Sequence, residues 1–389
     1  MGLLVLMGLV SLFADVAYEG ARSITGPYMA ILGASGFAVS FVAGLGELLA
    51  YGLRIFSGFI SDKTRNYWGI ATVGYLINLI SVPLMGFASE WRTVALLTFT
   101  QRVGKATRAP ARDTIISYAA KNVGTGFGYG LHEAFDMVGA LAGPILISIF
   151  FYFHFGYETS FMLLFVPGLV AMSVLAVARK KYPRPEVFER EDAEKGEGGA
   201  GKGLWTLILA VSFLGMGYAD FPLIAYHAKK RAILSDANIP LLYSLAMAAC
   251  GASALLFGRL FDKIGTWAVI LGAACAASFS WFAFMGGPSG MLVGVLLWGV
   301  GTGVQESVMK AAIANLIRSS ARGRVFGFFN ASFGIFSFFG NAIIGLLYDK
   351  SVLYLVYFSI GAHLLAFAFL ATVSKRMFKK PRPKVTDDG

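Results

Sequence analysis

One short sequence occurs twice, and each copy stands at the polar end of a long apolar stretch. Residues 58–63 read Gly-Phe-Ile-Ser-Asp-Lys, and residues 258–263 read Gly-Arg-Leu-Phe-Asp-Lys. Both copies fit the pattern G-x-x-x-D-K at an interval of 200 positions. A repeat at corresponding points of two halves is typical of membrane proteins that contain an internal duplication. The chain is therefore predicted to fold as two related halves.

The apolar stretches are long and numerous enough for a multi-pass membrane protein. Charged residues make up only 14% of the chain, against about 25% in a soluble protein. A membrane-spanning helix needs about 20 apolar residues. Twelve stretches qualify, at roughly 2–32, 37–60, 68–88, 93–118, 125–153, 158–178, 203–227, 240–258, 265–286, 291–317, 325–349 and 352–373. We predict an all-α integral membrane protein whose twelve transmembrane helices form two pseudo-symmetric six-helix bundles.

A polar segment divides these stretches into two sets of six. It contains Pro, Gly and a mixed run of charges, a composition typical of flexible connectors. We predict an N-terminal bundle at 1–178, a cytoplasmic linker at 179–203, a C-terminal bundle at 204–374 and a basic cytoplasmic tail at 375–389.

The net charge of +11 indicates membrane topology and not nucleic-acid binding, because of where the basic residues lie. Most Lys and Arg outside the apolar stretches are in the even-numbered turns, the linker and the tail. Cytoplasmic loops are enriched in basic residues. We therefore expect a multi-pass protein of the cell inner (plasma) membrane with both termini in the cytoplasm. The basic cluster at 229–231 is an exception that the sequence does not explain.

The first copy of the repeat resembles the signature after the second helix in the major facilitator superfamily, G-x-x-x-D-R/K-x-G-R-R/K. Gly58, Asp62 and Lys63 match, while Arg65 stands in place of a Gly and Asn66 in place of an Arg. The resemblance implies secondary active transport by alternating access. It also implies a conformational clasp made by Gly58, Asp62, Lys63, Arg65, Asp113, Gly258, Asp262 and Lys263.

The fifth apolar stretch carries a second resemblance. Gly130, Gly139, Gly143 and Pro144 match G-x8-G-x3-G-P, which is associated with the drug/proton antiporters of the same superfamily, although the Gly-Gly that follows it there is absent. The three glycines predict a smooth face for helix packing, and the proline a bend or a weakened hydrogen-bond ladder. The resemblance implies export rather than import.

Fifteen ionisable residues fall within the predicted spans, where each costs about 2.5–3.5 kcal/mol if it faces lipid. Asp15, Glu19 and Arg22 lie at i, i+4 and i+7, on one helix face. Such residues are expected to face one another or a water-filled cavity. The set comprises Asp15, Glu19, Glu47, Asp113, Glu133, Asp136, Asp220, Glu306, Arg22, Arg54, Arg102, Lys105, Arg108, Arg112 and Lys310.

Spans one, four, seven and ten line the central cavity in the resembled superfamily, and in this chain they carry most of the mid-span charge. Asp15 and Glu19 are the first candidates for proton coupling, followed by Glu133, Asp136 and Asp220. Predicted substrate contacts are Tyr18, Arg22, Arg102, Lys105, Arg108, Gln305, Glu306 and Lys310.

Structural roles are open alternatives for some of these charges. Glu19 and Arg22 are close enough in sequence to form a fixed pair within one helix. Arg54, Arg112 and Asp113 lie near the cytoplasmic boundary, where long side chains reach the interface at little cost. For these three we favour a clasp or an anchor over contact with a ligand.

Proton-coupled export of a small organic compound, anionic or amphipathic, is the leading functional prediction. Uptake by symport and export of a metal ion or metal chelate are alternatives; His132, Glu133 and Asp136 resemble a helical zinc motif that lacks its second His. A non-transporting membrane sensor is the alternative from a different class. We expect no enzymatic activity, no metal, no cofactor beyond a proton gradient, and a monomer whose partners are its substrate, protons and lipid.

Overall fold

The structure, a computed structural model, describes residues 1–120, 123–184, 202–264, 266–314 and 322–377, and this part of the chain is almost entirely α-helical. A short 3-10 helix, Met85–Phe87, follows the third α-helix. The α-helices are α1 (Gly2–Ile31), α2 (Gly36–Thr64), α3 (Tyr67–Leu84), α4 (Trp91–Ala120), α5 (Thr125–Tyr152), α6 (Tyr157–Leu163), α7 (Phe165–Lys181), α8 (Lys202–Gly217), α9 (Phe221–Lys230), α10 (Asn238–Ile264), α11 (Thr266–Met285), α12 (Gly287–Ala314), α13 (Arg322–Lys350) and α14 (Val352–Met377).

These helices make twelve spans, six on each side of the linker, so the predicted fold class is confirmed. The sixth span is divided between α6 and α7, and the seventh between α8 and α9. In the described part, ten spans are long and apolar enough to cross a membrane. α4 falls short because of its charged side chains, while α11, an apolar helix of 20 residues, is not counted because some side chains near its start lie outside the described part.

The seventh span is interrupted at residues 218–220, and side chains of neighbouring helices bind the backbone groups that the break leaves free. The Trp298 indole Nε1 donates to the Ala219 carbonyl at 3.0 Å. The Asp220 amide donates to Asn341 Oδ1 at 3.1 Å, and the Asp220 side chain caps α9. Irregular backbone at membrane depth is tolerated only where such partners exist. The break therefore positions Asp220 at the meeting point of several helices.

Glycines of α5 determine how closely it packs on α1. A Cβ added at Gly139 would lie 2.5 Å from the Leu12 carbonyl oxygen, and one at Gly143 would lie 2.4 Å from the Val16 carbonyl oxygen. No atom of the described residues lies within 4 Å of a Cβ built at Gly130. The packing prediction is thus wrong for Gly130, which is exposed near the start of the helix. α5 continues as a helix through Pro144.

The two halves are in contact at the end of the molecule formed by the α1–α2 and α13–α14 turns, which we call the far face. The Asp349 carboxylate accepts hydrogen bonds from the Gly36 and Phe37 amides, at 2.9 and 2.8 Å, and so caps α2 across the interface. Ser148 Oγ donates to the Ala237 carbonyl at 2.6 Å. We call the opposite end, where α1 begins and α7 ends, the linker face.

The basic cluster at 229–231 lies at the far face and is partly neutralised there. Lys229 Nζ is 2.7 Å from both carboxylate oxygens of Asp236. The Tyr157 hydroxyl donates to the same carboxylate at 2.6 Å, which ties the α9–α10 turn to α6. Lys230 Nζ donates to the Tyr226 hydroxyl at 2.9 Å. Lys229 is therefore neutralised by a local partner that the sequence alone did not indicate.

The substitutions Gly143→Ala and Gly130→Ala should have opposite effects on stability. At Gly143 the new methyl group meets the α1 backbone, and we expect a loss of about 1–3 kcal/mol. At Gly130 it meets no described atom, and we expect no loss or a gain of up to about 1 kcal/mol from the better helix propensity of Ala. Thermal unfolding of both purified variants in detergent measures the difference. Equal melting temperatures would contradict this account of the α1–α5 interface.

Candidate functional site

A central cavity of about 520 Å³ lies between the two halves, and it is lined by helices of both. Many of its lining residues are charged or polar, although the cavity is deep within the spans. Nine residues predicted from the sequence line it: Asp15, Glu19, Arg22, Arg102, Lys105, Glu133, Asp136, Asp220 and Gln305. The structure thus brings most of the predicted mid-span charges to one place.

Glu19 is held by groups from both halves. The Tyr243 hydroxyl, on α10, donates to Glu19 Oε2 at 2.6 Å. On the N-terminal side, Lys105 Nζ lies 4.0 Å from Oε1 and Arg22 Nη1 lies 3.8 Å from Oε2. Only the bond from Tyr243 is within hydrogen-bonding distance. Glu19 is therefore fixed mainly by the opposite half.

Arg22 makes the second polar link between the halves. Its Nη2 is 2.7 Å from Asp220 Oδ1 and 3.4 Å from Glu47 Oε1. Glu47 Oε1 also forms an ion pair of 2.7 Å with Arg102 Nη1, and the Arg102 side chain is only 5% exposed. The charges thus form a chain from α4 through α2 and α1 to the break between α8 and α9. Glu19 and Arg22 are not an isolated pair on one helix.

Arg108 and Tyr18 are buried and do not line the central cavity in this conformation. Arg108 is buried, with Nη2 3.7 Å from Asp15 Oδ1 and its guanidinium 4.4 Å from the Tyr75 ring. Tyr18 is also buried, and Lys105 Nζ lies 3.9 Å above its ring. A sequence gives the helix face but not the depth of a side chain, and in this conformation both contact residues that line the cavity. Their assignment to substrate binding stays a prediction.

His132 and Asp136 pack together one turn apart on α5. His132 Nε2 is 3.7 Å from Asp136 Oδ2 and 3.3 Å from Ser11 Oγ, while Arg112 Nη1 is 3.7 Å from the same Asp136 oxygen. Glu133 lines the cavity and is exposed. Within the described ranges, no group of three His, Cys, Asp or Glu side chains is placed to hold a metal ion.

The predicted clasp is not formed in this conformation. Asp62, Lys63 and Arg65 are exposed at the linker face, and no described cation pairs with Asp62. Asp113 instead pairs with its neighbour Arg112 at 2.9 Å, so its carboxylate is already occupied. The other described clasp residues make few contacts. A Cβ built on Gly58 would lie 3.7 Å from Pro110, and one built on Gly258 would have no described neighbour within 4 Å. Lys263 is exposed.

Three predicted side chains lie outside the part of the chain that the structure describes. They are those of Asp262, Glu306 and Lys310, whose backbones belong to α10 and α12. Their assignment to the clasp and to substrate binding therefore stays a prediction.

Several lining residues were not predicted as site residues. Arg54 was assigned to the boundary, yet it lines the cavity beside Tyr51, with its guanidinium 5.2 Å from that ring. Glu47 and Arg54 are seven residues apart on α2, so the one-face rule applied to α1 would have identified them. Tyr243 and Asn341 carry no such signal, because aromatic and amide side chains are common throughout the chain.

Comparison with known proteins by family model and by sequence points to one and the same family. The family model of the Major Facilitator Superfamily matches residues 7–307 and 207–388. An uncharacterized protein of Mycobacterium tuberculosis is 36% identical over 94% of this chain and 91% of its own length. An uncharacterized MFS-type transporter of Methanocaldococcus jannaschii is 24% identical over 89% of this chain and 88% of its own.

A solved structure shares the fold at low sequence identity. The nucleoside transporter NupG superposes with a TM-score of 0.74 at 14% identity, covering 95% of this chain and 99% of that one. A cavity between two halves, a full-length family match and these relatives together identify a secondary transporter of small molecules and not an enzyme. The chain belongs to the Major Facilitator Superfamily.

Proposed function

We propose that this protein is a proton-coupled exporter of a small organic anion that works by alternating access. In this proposal it lies in the cell inner membrane with the linker face in the cytoplasm, and it functions as a monomer. The observation that carries the proposal is the central cavity itself, where cations line the space and the polar contacts at its wall join the two halves.

Buried donors without an acceptor favour an anionic substrate. Arg54 Nε and Gln305 Nε2 are buried, and neither has a hydrogen-bond partner in the described part of the chain. Lys105 Nζ is no closer than 4.0 Å to Glu19. Buried donors are nearly always satisfied, by protein, water or ligand. A carboxylate or phosphate would offer these cations and the amide the acceptors that they lack.

Carboxylates at the interface between the halves are suited to proton coupling. Glu19 bonds to Tyr243, and Asp220 bonds to Arg22, so both acids join the N-terminal half to the C-terminal half. Protonating Glu19 would remove its attraction to Lys105 and Arg22 and convert an acceptor into a donor. The arrival of a proton would thus change the strength of the contact that the halves must break in order to rock apart.

The direction of transport is inferred from two features. The far-face contacts close the cavity on that side, so a substrate would enter from the linker face. The glycine pattern of α5, typical of antiporters, brings that helix onto α1 at Gly139 and Gly143, beside Asp15 and Glu19. Loading from the cytoplasm is what an exporter requires.

Glu19→Gln should abolish proton-coupled transport while the protein still folds. We expect inside-out vesicles with an acidic interior to lose their pH gradient when a transported anion is added, because protons leave in exchange. Quenching of an acridine dye reports the gradient, with benzoate, UMP and glucose 6-phosphate as probes beside benzyl alcohol, uridine and glucose. The variant should give no response, a loss of at least tenfold.

Glu90→Gln is the matched control for this test. Glu90 is exposed outside the cavity, 3.7 Å from Arg92, so the same change of charge should leave the response intact. A response in Glu19→Gln and in Asp15→Asn equal to that of the parent would refute the proton assignment. A probe that acidifies the vesicle interior only when added to right-side-out vesicles would indicate an uptake symporter instead.

Arg54→Gln should remove the binding of the anion without removing the fold. We expect an anionic probe that raises the melting temperature of the parent to leave this variant and Lys105→Ala unshifted, because a charge-assisted bond contributes about 1.5–3 kcal/mol. The control is Arg92→Gln, at an exposed site outside the cavity. If neutral probes stabilise the parent as well as their anionic counterparts do, the substrate class is wrong.

A further inference from the structure

A second cavity, separate from the central one, lies at the linker face between the start of α3 and the end of α7. Its volume is about 510 Å³. We propose that this cavity, which we call the basic pocket, binds the headgroup of an anionic phospholipid. The pocket shares no residue with the transport site, so the proposal does not depend on the proposed substrate or on proton coupling.

Three cations converge on the basic pocket, and none of its lining residues in the described part of the chain is acidic. Arg65 comes from the α2–α3 turn, while Arg179 and Lys180 come from the last turn of α7. Among the residues that the structure describes, no carboxylate pairs with any of the three. A concave surface with three positive charges and no counter-ion is complementary to a phosphate group.

The backbone of the α2–α3 turn adds to this positive character. Arg65 has φ of 51°, in the left-handed region that favours glycine, and its amide donates to the Ser61 carbonyl at 2.9 Å. Holding an Arg in this conformation costs free energy that a glycine would avoid. The helix α3 begins two residues later, and its first residues, Tyr67 and Trp68, line the pocket. The N-terminal end of this helix, which carries the positive end of the helix dipole, therefore lies at the pocket.

The floor of the basic pocket is apolar and leads towards the lipid. Met172 and the buried Leu175 form part of this floor on α7. The same helix exposes Leu169 and Val177, each with more than half of its surface accessible, as expected of side chains that face acyl chains. The Trp68 indole Nε1 donates to the Tyr182 carbonyl at 3.0 Å, which fixes the opposite wall. A headgroup in the pocket could therefore keep its acyl chains against α7.

The position of the pocket favours a lipid over a free anion. It lies at the end of two membrane-spanning helices, where headgroups are concentrated. Each basic residue close to an anionic membrane surface increases the affinity of the protein for that surface about fivefold. A soluble phosphate would use the three cations but would leave the apolar floor uncovered.

The test compares lipids and variants of the intact protein. Native mass spectrometry measures the affinity of the detergent-solubilised chain for dioleoyl phosphatidylglycerol, dioleoyl phosphatidylcholine and inorganic phosphate. We expect phosphatidylglycerol to bind at least tenfold more tightly than the other two. The double variant Arg65→Gln, Arg179→Gln, which removes one cation from each wall, should weaken that binding by about twenty-fivefold.

A second double variant controls for net charge. Arg92→Gln, Lys350→Gln removes two exposed cations at the far face and should bind phosphatidylglycerol as the parent does. Because Arg65 and Arg179 are exposed, the pocket variant should elute as the parent does in size-exclusion chromatography. Three results would each overturn the proposal: equal affinity for the two lipids, unchanged affinity in the pocket variant, or inorganic phosphate binding as tightly as phosphatidylglycerol.

Discussion

The ion pair between Arg22 and Asp220 is the interaction on which the arrangement of the two halves depends. Its atoms are 2.7 Å apart, and each partner comes from a different half. Charges at this depth are too costly to face lipid, so each must find a partner or water. The hydrogen bond from Tyr243 to Glu19, one turn away on α1, repeats the same solution. The cavity exists where these links hold the halves together without filling the space between them.

The break between α8 and α9 makes this pair conformationally sensitive. Asp220 Oδ1 accepts from the Phe221 amide at 2.8 Å as a helix cap and from Arg22 at 2.7 Å as an ion-pair partner. If Arg22 moved away with its half, Asp220 would keep its role as cap and lose only its partner across the interface. The cap lets α9 survive the separation, and the unpaired carboxylate is then free to take a proton or a cation. A continuous helix would not present a carboxylate in this way.

The fold could be predicted from the sequence because the length of each apolar stretch, and the cost of placing its charged residues in lipid, can be summed residue by residue along the chain. The i, i+4, i+7 rule likewise predicted that Asp15, Glu19 and Arg22 face one cavity. It does not give the depth of Arg108, which lies behind the residues that line the cavity, since position on a helix face does not tell the first layer of a wall from the second. It could not identify Tyr243, whose role depends on a contact between helices far apart in sequence. The exposure of Gly130 is likewise set by the position of α5 against α1, which spacing does not give.

The far-face seal combines polar links with apolar packing between the two halves. Its described polar links include two bonds to Asp349, one from Tyr157 to Asp236, one from Ser148 to Ala237 and one from the Tyr226 hydroxyl to the Ala34 carbonyl. At about 1.5–3 kcal/mol for each of the three bonds to a carboxylate and about 0.5–1.5 kcal/mol for each of the other two, they total roughly 5.5–12 kcal/mol. Reversing a two-state equilibrium from 1:99 to 99:1 takes about 5.5 kcal/mol. The polar links alone are therefore at least as large as that energy, and buried apolar side chains of both halves, such as Tyr28 and Tyr226, add to the seal. Loss of the far-face contacts must therefore be offset by contacts that form elsewhere, as alternating access between two closed ends requires.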